Sequence, residues 1–144
     1  MGSRRKAREF ALQMLFQEDV TAQSADEIRE SFWLSRRTDA ETRRFAEGLL
    51  LASLDHKSEV DEQIKECSEH WRLERMAAVD RSVLRMAVTE FLYFDTPRVV
   101  VIDEAIEVVR KYGGKDSAEF VNGILDAVRK DLEIDEDCKI SSQQ

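Results

Sequence analysis

From the start of the chain, Ala7, Phe10, Ala11, Met14 and Leu15 recur at steps of three and four, the spacing of one buried helix face. Ser3 is placed to cap this first helix, and the pattern fades near Val20. Two S/T-x-x-E boxes follow, Ser24 with Glu27 and Thr38 with Glu41, in which side chain and backbone satisfy each other's free amides. Each predicts a helix start. The second helix is short and carries Ile28, Phe32 and Trp33, and the third runs through Phe45, Leu49, Leu50 and Ala52 to Leu54. A fourth begins near Ser58, where Val60, Ile64 and Cys67 form a thin apolar stripe among charged neighbours, so one side faces water. Trp71 and Leu73 close this half of the chain.

Between Met76 and Phe94 the apolar residues Val79, Val83, Leu84, Met86, Ala87, Val88, Phe91 and Leu92 cover most of a helix's circumference, which predicts a central buried helix. It stops at Asp95-Thr96-Pro97, since proline turns the residue before it away from helical angles. Val99, Val100 and Val101 alone would read as a strand. Ile102, Ala105, Ile106, Val109 and Tyr112 continue at helical spacing, and no second strand candidate exists to pair with the run, so it is read as helix. Gly113 and Gly114 end it. The last helix starts at Asp116 or Ser117 and packs through Val121, Ile124, Leu125, Val128 and Leu132. Seven helices with short connections predict an all-α bundle forming one domain over residues 1–132, followed by an acidic tail over 133–144 that is expected to be mobile.

Composition agrees with this reading and narrows it. One proline and five glycines in 144 residues are too few turn formers for a sandwich or barrel. The net charge of −8 argues against a uniformly basic nucleic-acid coat and against retention on anionic lipid. The positive charge is concentrated: Arg4, Arg5, Lys6 and Arg8 against Glu9 give the first ten residues +3, leaving −11 for the rest. The Arg-rich start shares features with an organellar transit peptide, but its apolar face runs at core spacing and it is read as part of the fold. With two distant cysteines, no long apolar run and no signal-peptide pattern, a reducing cytoplasm is expected.

Catalytic readings come up short. Glu104 and Glu107 share a helix, but a di-iron bundle needs Glu-x-x-His pairs, which His56 and His70 do not supply. Cys67 and His70 lie at i and i+3 with no second ligand pair, so no metal is expected. Gly114, Lys115 and Ser117 lack the first glycine and the strand of a phosphate loop. Glu90, on the apolar central helix, is read as one half of a buried pair with an arginine such as Arg85. No catalytic residue or cofactor is assigned.

Polyanion binding is better supported. At about 100° per residue, Arg5, Leu12 and Phe16 point away from the core stripe of the first helix, with Arg8 on its flank. Phe120 falls to one side of the last helix's core stripe, near a helix start. Tyr112, the glycine pair, Lys115 and the free amides after Asp116 then make a platform with aromatic faces and phosphate-binding donors, a combination suited to single-stranded RNA. The bland alternative is that Leu12, Phe16 and Phe120 pack between helices.

Together these residues resemble the NusB family of bacterial transcription antitermination proteins. The resemblance rests on Arg4-Arg5-Lys6-Ala7-Arg8-Glu9 with Ala11-Leu12-Gln13, on Val79-Asp80-Arg81-Ser82-Val83-Leu84-Arg85 leading to Glu90, on Ile102-Asp103-Glu104-Ala105-Ile106-Glu107, and on Asp116-Ser117-Ala118-Glu119-Phe120-Val121-Asn122-Gly123. It implies a fold of two packed helical subdomains without enzymatic activity. It also implies pairing with ribosomal protein NusE, binding of single-stranded boxA RNA, and delivery of the bound pair to RNA polymerase in support of ribosomal RNA transcription. Residue by residue it assigns RNA contacts to Arg4, Arg5, Lys6, Arg8, Phe16, Tyr112, Lys115, Asp116, Ser117, Phe120 and Asn122, and places Glu74, Asp80 and Arg81 on the side that meets NusE.

Two rival readings are a helical adaptor that binds proteins only, and the N-terminal extension of an RNA cytosine methyltransferase. The second needs a large cofactor-binding domain for which 144 residues leave no room. A bundle of this kind can also self-associate through an apolar face, and a homodimer would hide the RNA-facing arginines. The acidic tail is a potential competitor of RNA for the basic patch.

Overall fold

The computed structural model describes residues 2–68 and 71–142. Among these the chain forms seven α-helices and a 3₁₀ turn: α1 (Gly2–Thr21), α2 (Ala25–Leu34), α3 (Ala40–Asp55), α4 (Lys57–Cys67), the turn Leu73–Arg75, α5 (Ala78–Tyr93), α6 (Arg98–Gly113) and α7 (Lys115–Ser142). The side chain of Ser3, expected as the first cap, and His70 lie outside the described residues.

Local chemistry sets most of these boundaries. The Ser24 box closes as expected, with Ser24 Oγ accepting from the Glu27 amide at 3.2 Å and the Glu27 carboxylate accepting from the Ser24 amide at 3.4 Å. The Thr38 box does not close. Asp39 is the N-cap of α3, and Thr38 Oγ1 donates to the Asp39 carboxylate at 3.3 Å. The valine run is helical, entered through Pro97, and α6 ends where Gly114 takes φ +94°, a conformation that a side chain would strain. Gly113 is needed for a different reason, since a Cβ there would lie 2.7 Å from Ser117 Oγ.

The helices enclose two cores. Ala7, Phe10 and Met14 of α1 pack with Ile28, Phe32 and residues of α3 in one, and α4 to α7 build the other around Val83, Leu84 and Leu125. Two residues cross over. Met86 of α5 reaches the N-terminal core, and Leu12 of α1 reaches the C-terminal one. Leu12 is therefore buried, contrary to the outward orientation expected from the core stripe, because α1 is sandwiched between the two subdomains and has a second apolar face. The central helix behaves as its pattern predicts, with buried residues on nearly every side of α5.

Two ionic arrangements tie α1 to α5. Arg8, only 4% exposed, donates from Nε to Glu90 Oε1 at 3.0 Å and from its second fork nitrogen to Glu90 Oε2, and Glu90 is itself 1% exposed. The buried arginine partner of Glu90 is thus Arg8. Arg85 instead holds Asp61 at 2.8 and 3.0 Å and Asp19 at 3.2 Å. The last helix also runs further than expected, continuing through the acidic segment to Ser142 with Glu133 to Ile140 exposed and Arg98 of α6 paired to Glu136.

Breaking the buried pair leaves an uncompensated charge in the interior. Arg8→Ala and Glu90→Ala should each lower unfolding free energy by about 3–5 kcal/mol. The double replacement Arg8→Met with Glu90→Leu should come much closer to the parent, as read from denaturant midpoints.

Candidate functional site

Three helix segments build one continuous surface. Along it α1 and α6 run side by side, joined by Arg5, which donates to Glu104 at 2.9 and 3.1 Å, by Lys111, which donates to Glu9, and by Gln13, whose Nε2 donates to Tyr112 Oη at 2.9 Å. The hydrogen bond and charge of Arg5 hold the Glu104 carboxyl below the usual carboxylate range. Tyr112 Oη in turn faces Glu9 Oε1 at 3.4 Å. Tyr112 and Phe16 remain 38% and 37% exposed, and both line a groove of about 440 Å³ whose other walls include Leu12, Val20 and Val79. Gln13, Gln17, Phe32 and Arg36 complete its lining, and the sequence pattern assigned none of them to a site, reading Phe32 as core and Gln13 only as part of a motif. The signal available was the spacing of Gln13 and Gln17 beside Phe16 on one helix face.

Past Tyr112 the surface turns through Gly113 and Gly114 into α7. Lys115 and Asp116 are exposed in its first turn, Ser117 is half-buried against Gly113, and Asn122 is exposed. Among the described residues Lys115 has no carboxylate partner. Phe120 packs on the C-terminal core with part of its ring accessible, and Trp71 meets it edge-to-face with ring centres 5.5 Å apart. The strip therefore carries Phe16, Tyr112, Lys115 and Phe120 in order along α1, α6 and α7.

Not every expected residue joins it. Arg8 is 4% exposed and bound to Glu90 through Nε and one terminal nitrogen, so its charge is largely spent on that carboxylate, although it also lines an open hollow beside Arg4, Pro97 and Val100. Arg4 is exposed with its guanidinium 4.2 Å from the Phe45 ring centre, and the Lys6 ammonium lies 5.0 Å from that of Phe10, so these two cations sit on aromatic faces of the N-terminal subdomain. On the side assigned to a protein partner, Glu74 is exposed. Asp80 is 8% exposed, one oxygen lacks a hydrogen-bond partner, and it faces Gly113. It is a buried residue beside the α6–α7 turn, because α5 tucks its first turn under that loop. Arg81 is also committed, donating to the carbonyls of Leu73 at 3.1 Å and Met76 at 3.0 Å and to Asp19. Burial alone would raise the Asp19 carboxyl, but hydrogen bonds and charge from Arg81 and Arg85 outweigh it and hold the group below its ordinary value.

Among the described residues no cluster of His, Cys, Asp and Glu has the makings of a metal site. Burial and the nearby charges of Asp131 and Glu66 push the Cys67 thiol up, which keeps it protonated. No helix among the described residues is long and apolar enough to cross a membrane.

The chain is thus an all-α bundle of two packed subdomains that presents an exposed aromatic groove and strip. Residues 5–130 match the NusB family, and the chain belongs to it. The transcription antitermination protein NusB of Koribacter versatilis is 47% identical over 134 residues, covering 92% of each chain. A solved structure of NusB from T. maritima is similar with a TM-score of 0.81 at 36% identity, covering 88% of this chain and 90% of that one. Antitermination factors NusB and NusE, solved in complex with dsRNA, include a chain with a TM-score of 0.82 and 25% identity, covering 90% of this chain and 98% of that one.

The Asp19 network supplies a pH signature. Its carboxyl is depressed in the folded state, so its stabilisation is complete above the unfolded value, about 4, and is lost as pH falls through the folded one. Asp19→Asn should cost about 1–3 kcal/mol at pH 7 and less at pH 3. Denaturant unfolding at both pH values checks this, and an equal gap at both would refute the assignment.

Proposed function

We propose that this chain is a transcription antitermination factor of the bacterial cytoplasm. Paired with ribosomal protein NusE, it holds single-stranded boxA-like RNA and delivers it to RNA polymerase, in support of ribosomal RNA transcription. The observation that carries this reading is the run from Tyr112 across the glycine turn to Lys115 and Phe120, which brings two partly exposed aromatic rings and a cation without a carboxylate partner among the described residues to the amide-rich first turns of a long helix. The family membership points the same way.

The parts divide by chemistry. The groove of Leu12, Phe16, Val20 and Val79 suits an apolar segment of NusE, with Glu74 exposed on the neighbouring 3₁₀ turn and Asp80 and Arg81 supporting the α5 edge from within. Lys115, Asp116, Ser117 and Asn122 offer the first turns of α7 to RNA, and Arg4, Arg5 and Lys6 offer phosphate contacts at the other end of α1. The role is scaffolding: RNA is caught by stacking and charge, and nothing is turned over. With a net charge of −8 the chain alone should bind RNA modestly, NusE supplying further positive charge. Self-association of two copies through the groove would compete with NusE for the same apolar wall.

The commitment of Arg8 and Arg5 to carboxylates favours one other reading, a protein-only adaptor. Fluorescence anisotropy separates the two, using a labelled boxA-like RNA and a scrambled control, with and without NusE, at two salt concentrations. The antitermination reading expects salt-sensitive binding that prefers boxA and strengthens with NusE. Phe120→Ala should cost about 1–3 kcal/mol, and Arg5→Ala should reduce the salt slope by about 1. Absence of RNA binding even with NusE would leave the adaptor.

A further inference from the structure

We propose that Trp71 is a second stacking residue of the RNA site, holding the nucleotide next to the one on Phe120. The proposal rests on the RNA-binding reading above and adds a residue that lies outside every segment carrying the family resemblance. Its starting point is the contrast between the two tryptophans. Trp71 is 57% exposed, whereas the chain's other tryptophan, Trp33, is packed against the rings of Phe10 and Phe32. What sets Trp71 apart from the other exposed apolar residues is its contact with the partly accessible ring of Phe120.

The ring is exposed but well placed. Its backbone amide donates to the Ser68 carbonyl at 3.0 Å, Ser68 is buried with its hydroxyl on the Ile64 carbonyl at 2.9 Å, and Leu73 is buried two residues later. Trp71 is thus tied back to Ser68 through its amide and followed by a residue anchored in the core. Phe120 meets it at 81° with centres 5.5 Å apart. An edge-to-face pair can cover at most one face of either ring, so Phe120 leaves a face of Trp71 open, and the two rings form a step that neighbouring splayed bases can occupy one each.

The exposed charges nearby are of both signs, with Glu74 between Arg72 and Arg75 and with Asp116 and Glu119 following Lys115. Arg72 and Arg75 are exposed, as is Lys115 at the head of the helix bearing Phe120, and among the described residues none of the three has a carboxylate partner. Aromatic faces on segments that also carry exposed cations free of carboxylate partners fit a sugar-phosphate chain whose bases stack and whose phosphates are neutralised in passing. The same ring set as an anchor for NusE would be expected in the apolar groove, whose lining does not include Trp71.

Intrinsic tryptophan emission tests this directly with the boxA-like RNA and NusE. RNA should quench the parent protein and leave Trp71→Phe, in which only Trp33 emits, unquenched. Trp71→Ala should weaken RNA binding by about 5- to 150-fold with NusE affinity unchanged, and Trp71→Phe should restore most of it. A purely structural role would lower thermal stability in Trp71→Ala and give no RNA-dependent quenching. If Phe120→Ala weakens RNA binding while Trp71→Ala does not and the parent is not quenched, Trp71 is no part of the site and the RNA reading stands without it. Loss of NusE binding in Trp71→Ala overturns the proposal in favour of a protein contact. If the parent binds no RNA at all, both fall together.

Discussion

The pairing of Arg8 with Glu90 governs the arrangement of everything around it. Both groups are almost fully buried and each neutralises the other, so the pair favours one register of α1 along α5. A slip of α1 by one residue would strand two charges in the interior. With that register set, Arg5, Glu9 and Gln13 fall opposite Glu104, Lys111 and Tyr112 of α6, and Phe16 comes to the wall of the groove. At the other end of α1, Asp19 joins Arg81 and Arg85 and prevents the helix from pivoting about the Arg8 contact. The same helix seals two cores, so neither subdomain is complete without it.

The division of labour on the surface follows from this frame. Tyr112 belongs to both the groove and the strip, its hydroxyl engaged by Gln13 and its ring partly open. A protein in the groove and an RNA on the strip would therefore meet at one side chain, which gives a physical route by which each partner stabilises the binding of the other.

Helices were legible in the sequence because their signals are local. The Ser24 box, the Pro97 break and the Gly113-Gly114 turn each act within a few residues, and the all-round apolar pattern of α5 reports its burial without reference to neighbours. What sequence spacing misjudged depended on distant partners. Arg8 stood on the flank of a stripe and carried a charge, and only a carboxylate 82 positions away makes its burial tolerable. Leu12 looked outward because one stripe was counted on a helix that packs against two cores. Asp80 read as a surface residue, yet the α6–α7 turn closes over it. The aromatic residues of the strip were found through helical spacing, and Trp71 escaped because a connecting segment has no period against which a ring can stand out.

The length of α7 has a further consequence for the molecule's field. As a continuous helix it carries Glu133 about 27 Å along its axis from Lys115, more than three Debye lengths at physiological ionic strength. The acidic turns are held there, with Glu136 tied to Arg98 at the opposite end of α6 from Tyr112. At that distance along the helix their screened field at the aromatic strip is small. The net charge of this chain thus describes its behaviour in bulk solution, while a polyanion arriving at the head of α7 meets a separate, local potential.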